Sequence, residues 1–129
     1  MPQLIGDVLM LLVLFQAKHM FADYFLQTPK MLSGRGEYAH LGRAQHAAVH
    51  SLGSVIAFLL IGSPPVFILI TVALEWVVHF HIDYFKAHYS DRNELRPDQA
   101  AFWRAAGLDQ CLHQLTYIVM TWAWVVYAS

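Results

Sequence analysis

Four apolar stretches divide the chain, at about Leu4–Leu26, Ala44–Ile61, Pro65–Phe85 and Ala106–Ala128. Each is near the ~20 residues that a helix needs to cross ~30 Å of hydrocarbon. A segment in lipid must satisfy its own backbone hydrogen bonds, so the pattern predicts a helix in each case. "GSPP" at 62–65 is a tight turn with Pro65 placed to open a helix, and it predicts an antiparallel hairpin. The two longer connections, about 27–43 and 86–105, are polar. The pattern therefore predicts an all-α membrane protein: one domain over 1–129, a four-transmembrane-helix up-down bundle.

Composition agrees. Hydrophobic residues make up 57% and charged residues only 13%, where soluble domains carry roughly a quarter charged. The net charge of −1 gives no footing for a nucleic-acid partner. The single cysteine, Cys111, excludes an intramolecular disulfide framework. The first stretch lacks a basic leader and holds Gln16, Lys18, His19 and Asp23, so it reads as a retained helix and not as a cleaved signal peptide.

All eight Lys and Arg fall at one end of such a bundle. Lys18, Lys30, Arg35 and Arg43 lie in or beside the first connection, and Lys86, Arg92, Arg96 and Arg104 in or near the last. The positive-inside rule then places both long connections in the cytoplasm and both termini on the outer side of the membrane.

Polar residues within the stretches gather at that same basic end. His19 and Asp23 close the first helix, His46 and His50 open the second, Glu75, His79 and Asp83 close the third, and Asp109 and His113 open the fourth. Spacing of i, i+4 puts each set on one helix face. Burial of such groups in lipid is expensive, ~2.5–3.5 kcal/mol for Asp at a helix centre, so they are expected to face inward and find partners.

One reading is an interhelical hydrogen-bond network that only joins helices. The other is metal binding, because His and carboxylate together are the ligand set of Zn, Mn or Fe, and bundles build di-metal sites from such inward pairs. The metal candidates are His19, Asp23, His46, His50, His79, Asp83, Asp109 and His113, with one or two divalent ions expected. Two ions ~3.5–4 Å apart would use so many ligands better than one. Glu75, deeper than Asp83, is a relay or general-base candidate. Asp109 is a second base candidate, and Lys86 and Arg43 are candidates for gripping phosphate. Gln27 and Gln110 suit ligand-orienting roles. Lys18 and Lys86 also fit simple snorkelling toward the headgroups. His81 points away from His79, and His40 and His88 lie in the connections.

"HMFADYF" at 19–25 and "HFHIDYF" at 79–85 repeat one pattern, and each is followed by a helix opening on an i, i+4 pair ending in His. The chain reads as a parallel pseudo-twofold repeat of two helical hairpins, about 4–61 and 65–128, each donating half of the ligands. The Gly53-x-x-x-Ala57 pattern suits close helix packing and raises the expectation of a homodimer.

"HMFADYFLQTPKM", "HAAVH", "HFHIDYFK" and "LDQCLH" together resemble a family of small bacterial membrane proteins known only as a domain of unknown function. The resemblance covers nearly the whole chain and implies a polytopic inner-membrane protein. It carries over no activity. His19, Asp23, Gln27, His50, His79, Asp83, Asp109, Gln110 and His113 fall on its motif positions, whereas His46 and Glu75 rest on spacing. A looser similarity to membrane-embedded metal-dependent hydrolases is an analogy. The functional expectation is a metal-dependent hydrolase of a phosphoester or lipid-linked substrate, surrounded by membrane lipids. The alternatives are a metal-ion or proton transporter and a non-haem iron redox protein.

Overall fold

The computed structural model describes residues 1–34 and 36–129; Arg35, one of the eight basic residues, lies outside the described residues. Among the described residues all regular structure is helical: α1 (Pro2–Tyr24), α2 (Pro29–Leu32), α3 (Leu41–Leu60), α4 (Pro65–Arg92) and α5 (Ala100–Tyr127). Each of the four apolar stretches forms a long helix. α1 packs on α3 and α5, α4 packs on the same two, and the short α2 lies against α3.

Local chemistry explains the helix ends. Proline opens α1, α2 and α4, where its missing N–H is not needed. Thr28 caps α2 by accepting from Met31 N at 3.3 Å. α3 stops at Gly62, whose φ of +75° suits glycine. The chain there folds back so that Gly62 N–H donates to Leu59 O and Ser63 N–H to Phe58 O, both at 3.0 Å, and this satisfies two terminal carbonyls.

The last connection is much shorter than the polarity pattern predicts. α4 continues past Phe85 to Arg92, and α5 begins at Ala100 instead of near Ala106. Only residues 93–99 link them. The end of an apolar run marks where lipid-compatible residues stop, whereas a helix continues until something breaks it. Lys86 to Arg92 contain no glycine or proline, and the break comes at Asn93, Glu94 with φ +48°, and Pro97.

The interior has two parts. Leu11, Phe15, Ala57, Phe58, Ile68, Tyr117, Met120 and Trp124 form an apolar cluster toward the end that carries the chain termini. Toward the other end the interior is mainly polar, with His19, Arg43, His46, His50, Glu75, His79, Asp109 and His113 buried beside Ala22, Ala47, Phe80 and Ala87. The outer faces are apolar: Leu9, Val13, Leu52, Ile56, Leu69, Leu74, Leu115 and Val119 are all exposed. A water-soluble fold arranges the two kinds of residue the other way round.

Two helices, α1 and α4, are long and apolar enough to cross a membrane. α3 and α5 dilute their apolar faces with inward polar groups, among them Arg43, His46, His50 and Ser54 on α3, and Asp109, His113 and Thr121 on α5. Gly53 faces α1: a Cβ there would meet Lys18 Cβ at 2.9 Å. With Ala57 buried as well, this small-residue pattern serves packing within the chain, which takes away its value as a sign of a homodimer.

Candidate metal centre

The i, i+4 pairs bring five imidazoles and three aspartates together from four helices. His19 and Asp23 come from α1, His46 and His50 from α3, His79 and Asp83 from α4, Asp109 and His113 from α5. Ring centroids lie 3.9 Å apart for His50 and His79, 4.2 Å for His79 and His113, and 4.6 Å for His46 and His50. His19 stands 5.1 Å from both His50 and His113. All five rings are buried.

Every imidazole directs Nε2 at a carboxylate. Asp23 Oδ1 lies 3.0 Å from His50 Nε2 and 3.2 Å from His46 Nε2, and Asp23 Oδ2 lies 3.2 Å from His19 Nε2. Asp83 Oδ1 is 3.2 Å from His113 Nε2; Asp83 Oδ2 is 3.3 Å from His79 Nε2 and 3.7 Å from His46 Nε2. Asp109 Oδ1 is 3.6 Å from His113 Nε2. Donors that share one ion at ~2.1 Å lie roughly 3.0–3.4 Å apart in octahedral or tetrahedral geometry, so these separations suit ligands of a common cation.

Two groups among the described residues can hold a metal ion: His46, His50 and His79, and His79, Asp83 and His113. Within each, one ligand atom per residue lies within 4.8 Å of the others, and His79 belongs to both. Hydrogen bonding alone leaves the cluster incompletely satisfied. His79 Nε2 faces Asp83 at 3.3 Å and Asp109 Oδ1 faces His113 at 3.6 Å, yet neither buried atom meets hydrogen-bond geometry, and a cation beside His79 would satisfy its nitrogen better. The mixed imidazole and carboxylate set suits Zn, Mn or Fe and does not select among them.

Outer contacts orient the rings. Tyr117 OH lies 2.8 Å from His19 Nδ1, and Gln110 Oε1 lies 3.1 Å from His19 Nε2. Gln110 Nε2 donates to Asp109 Oδ2 at 3.3 Å, and Gln27 Nε2 approaches His46 Nε2 at 3.4 Å. The two glutamines thus lie where the sequence suggests. Tyr117 was not singled out, although it extends the Asp109–His113 register by one more turn of the same helix face.

Lys18 and Glu75 depart from expectation. Lys18 does not snorkel toward the headgroups; its ammonium is buried, paired with Glu75, and donates to His50 O at 3.0 Å. It also lies 4.5 Å from the centre of the Tyr117 ring. Only 7% of the Lys18 side chain and 1% of the Glu75 side chain is exposed, so each supplies the counter-charge that the other needs in the interior. Glu75 therefore joins Lys18 and neither of the two three-ligand groups.

A cavity of about 260 Å³ opens over the cluster at the basic end, lined by Asp23, His46, Asp83, Asp109, Gln27, Gln110, Arg43 and Lys86 among others. Lys86 forms no ion pair among the described residues. Arg43 is engaged in packing: its Nη1 donates to Glu37 O at 2.7 Å and Tyr38 O at 3.2 Å, and its guanidinium lies over Phe80 and Tyr84. His81 points outside the cluster to Tyr38 OH and Val77 O, and His88 is exposed and stacks on Tyr84. His40 stands at the residue before α3, makes no capping bond with its side chain, and is half-buried.

The fold and its interior thus define an all-helical protein, with two helices able to cross a membrane and with buried His/Asp groups able to hold a metal. The chain belongs to a family described as a protein of unknown function (DUF3307), whose model matches residues 8–129 and so spans every candidate ligand. No curated protein and no solved structure gives a significant match to it.

Proposed function

We propose that this protein is a four-span integral membrane metalloprotein, with both termini on the periplasmic side of the bacterial inner membrane, that hydrolyses a phosphoester at its cytoplasmic end. The observation that carries this reading is the convergence of five Nε2 atoms and three aspartates from four helices beneath a polar cavity. The four-span assignment draws support from the apolar exterior of all four long helices, and the orientation from the basic residues clustered at one end. The hairpin repeat draws support from matched contacts. Asp23 meets His19 and His50 of its own hairpin at 3.2 and 3.0 Å; Asp83 meets His79 and His113 of its own at 3.3 and 3.2 Å.

His19, Asp23, His46, His50, His79, Asp83 and His113 would hold one or two divalent ions. A divalent ion supplies acidification of a bound water, toward a pKa of ~7, and stabilises charge on a phosphoryl oxygen. Asp109 lines this cavity and belongs to neither three-ligand group, so its carboxylate is the one assigned to take the proton from the attacking water. Lys86 faces the same cavity and offers its ammonium to the phosphate. The water oxygen bonds to phosphorus as the ester P–O bond breaks, and the departing alkoxide takes the proton that Asp109 received from the water and leaves as an alcohol. Glu75 is tied to Lys18 and does not line this cavity, so the base role falls to Asp109.

A transport reading draws on the Lys18–Glu75 pair, which extends polar character beyond the histidines. The next layer opposes it: Leu11, Phe15, Phe58, Ile68, Met120 and Trp124 close the interior with apolar side chains. Elemental analysis of protein purified without added metal tests the central reading. One or two Zn, Mn or Fe per chain are expected, together with metal-dependent release of inorganic phosphate from a water-soluble aryl phosphate. Metal-free protein of native fold would reduce the cluster to an interhelical hydrogen-bond network.

A further inference from the structure

Beside the polar cavity lies a second, apolar one of about 490 Å³ between α4 and α5. Its walls include Ile82, Phe85, Leu108 and Leu112, and the small Ala101 and Ala105 leave it open on the α5 side. Lys86 and Arg104 stand at its basic end, and neither has an ion-pair partner among the described residues. Two of its lining residues, Lys86 and Asp109, also line the polar cavity over the histidines. Further along the same seam is an apolar cavity of about 580 Å³ that shares Ile82 and Leu112 with the first. From Arg104 to Val119 the seam runs roughly 22 Å at the helical rise, more than the ~15 Å of one hydrocarbon leaflet.

We propose that this seam is the binding site of a lipid phosphate: its phosphate lies under Lys86 and Arg104 at the mouth of the metal cavity, and its tail lies along the groove between α4 and α5. Several observations favour this occupant over ordinary boundary lipid. The groove adjoins the polar cavity, with Lys86 and Asp109 lining both, which bulk lipid contact does not require. Its two cations stand together at one end, where they outnumber the single carboxylate of Asp109, and Glu75 in the further cavity is already paired with Lys18; this suits an anionic headgroup on an apolar tail. The route is lateral, so a substrate can reach the cavity from the bilayer without leaving it. The choice of phosphate as headgroup rests on the hydrolase reading; the groove and its two cations do not depend on it.

The test separates the two. The full chain is reconstituted in phosphatidylcholine vesicles holding a small fraction of phosphatidic acid with a photoactivatable group in its tail, and labelled peptides are mapped after illumination. Labelling is expected to concentrate on residues 71–85 and 108–123, which line the seam beyond the two cations. Hexadecyl phosphate should displace it and hexadecanol should not. Ala105→Trp, which fills the groove, and the double substitution Lys86→Ala with Arg104→Ala should each lower labelling about tenfold. Labelling spread evenly over the lipid-facing surfaces of all the long helices, or displaced equally by the alcohol, overturns the proposal. Retention of phosphate release from the water-soluble aryl phosphate in Ala105→Trp, alongside its loss from phosphatidic acid, supports both groove and hydrolase. Labelling at the seam without hydrolysis of either ester leaves the groove standing and removes the hydrolase reading.

Discussion

His50 and His79 face each other across the α3–α4 contact with ring centroids 3.9 Å apart, and both send Nε2 toward an aspartate. His79 alone belongs to both groups able to hold an ion. Loss of His79 should therefore do more damage than loss of a ligand that serves one group. His79→Ala is expected to release nearly all bound metal. His46→Ala and His113→Ala should each leave a measurable fraction. Metal content per chain, determined on the three purified variants, checks this order; equal retention in all three would contradict a shared ligand.

Tyr117 positions His19 from behind, with its hydroxyl 2.8 Å from Nδ1. Removal of groups that orient metal-binding histidines typically costs 10–100-fold in affinity. Tyr117→Phe keeps the ring that stacks on Phe15 at 5.4 Å and deletes only the hydroxyl. It should weaken metal binding by about that factor while leaving thermal stability close to wild type. Competition with a chelator of known affinity provides the measurement.

The Lys18–Glu75 pair makes a separate prediction about stability. Removing one member of a buried pair leaves the other charge uncompensated, at a typical penalty of 3–5 kcal/mol, whereas replacing both with apolar residues of similar size is often neutral. Lys18→Met should thus lower the unfolding temperature in detergent sharply. Addition of Glu75→Leu to the same chain should restore most of the loss. A double variant no better than the single would mean that the pair is not the source of the effect.

Orientation is open to thiol labelling in a Cys111→Ser background. A cysteine at Ser129 is expected to react with a membrane-impermeant maleimide in intact spheroplasts. One at Asp98, exposed in the α4–α5 link, should react only after permeabilisation. The reverse pattern would turn the cavity toward the periplasm.

Much of the site was legible because its polar residues repeat at helical spacing against apolar surroundings. His19 and Asp23, or Asp109 and His113, declare one face of one helix without any knowledge of the partner helix. That the faces meet follows from the expense of turning them to lipid. Pairing across helices was not legible. Lys18 has no polar companion one turn away that would direct it inward, and its partner Glu75 sits 57 residues further along on a helix that α1 does not directly pack against. Spacing within a helix carries no information about such a match. The ends of α4 and α5 were misplaced for a related reason: polarity reports the lipid boundary, and helix length is limited by Asn93 and Pro97. The Gly53 pattern marked a close approach correctly without saying whose surface arrives there, which proves to be Lys18 of the same chain.

The ammonium of Lys18 also has a bearing on how the chain is made. During synthesis α1 emerges first and carries a cation whose counter-ion is not yet translated. Until α4 follows, that helix lacks the neutralising carboxylate and must rest near the translocon or keep its amine in water. On the proposed four-span reading, completion of the first span is thereby tied to arrival of the third, and a ribosome stalled between them would leave an insertion intermediate open to quality-control proteolysis.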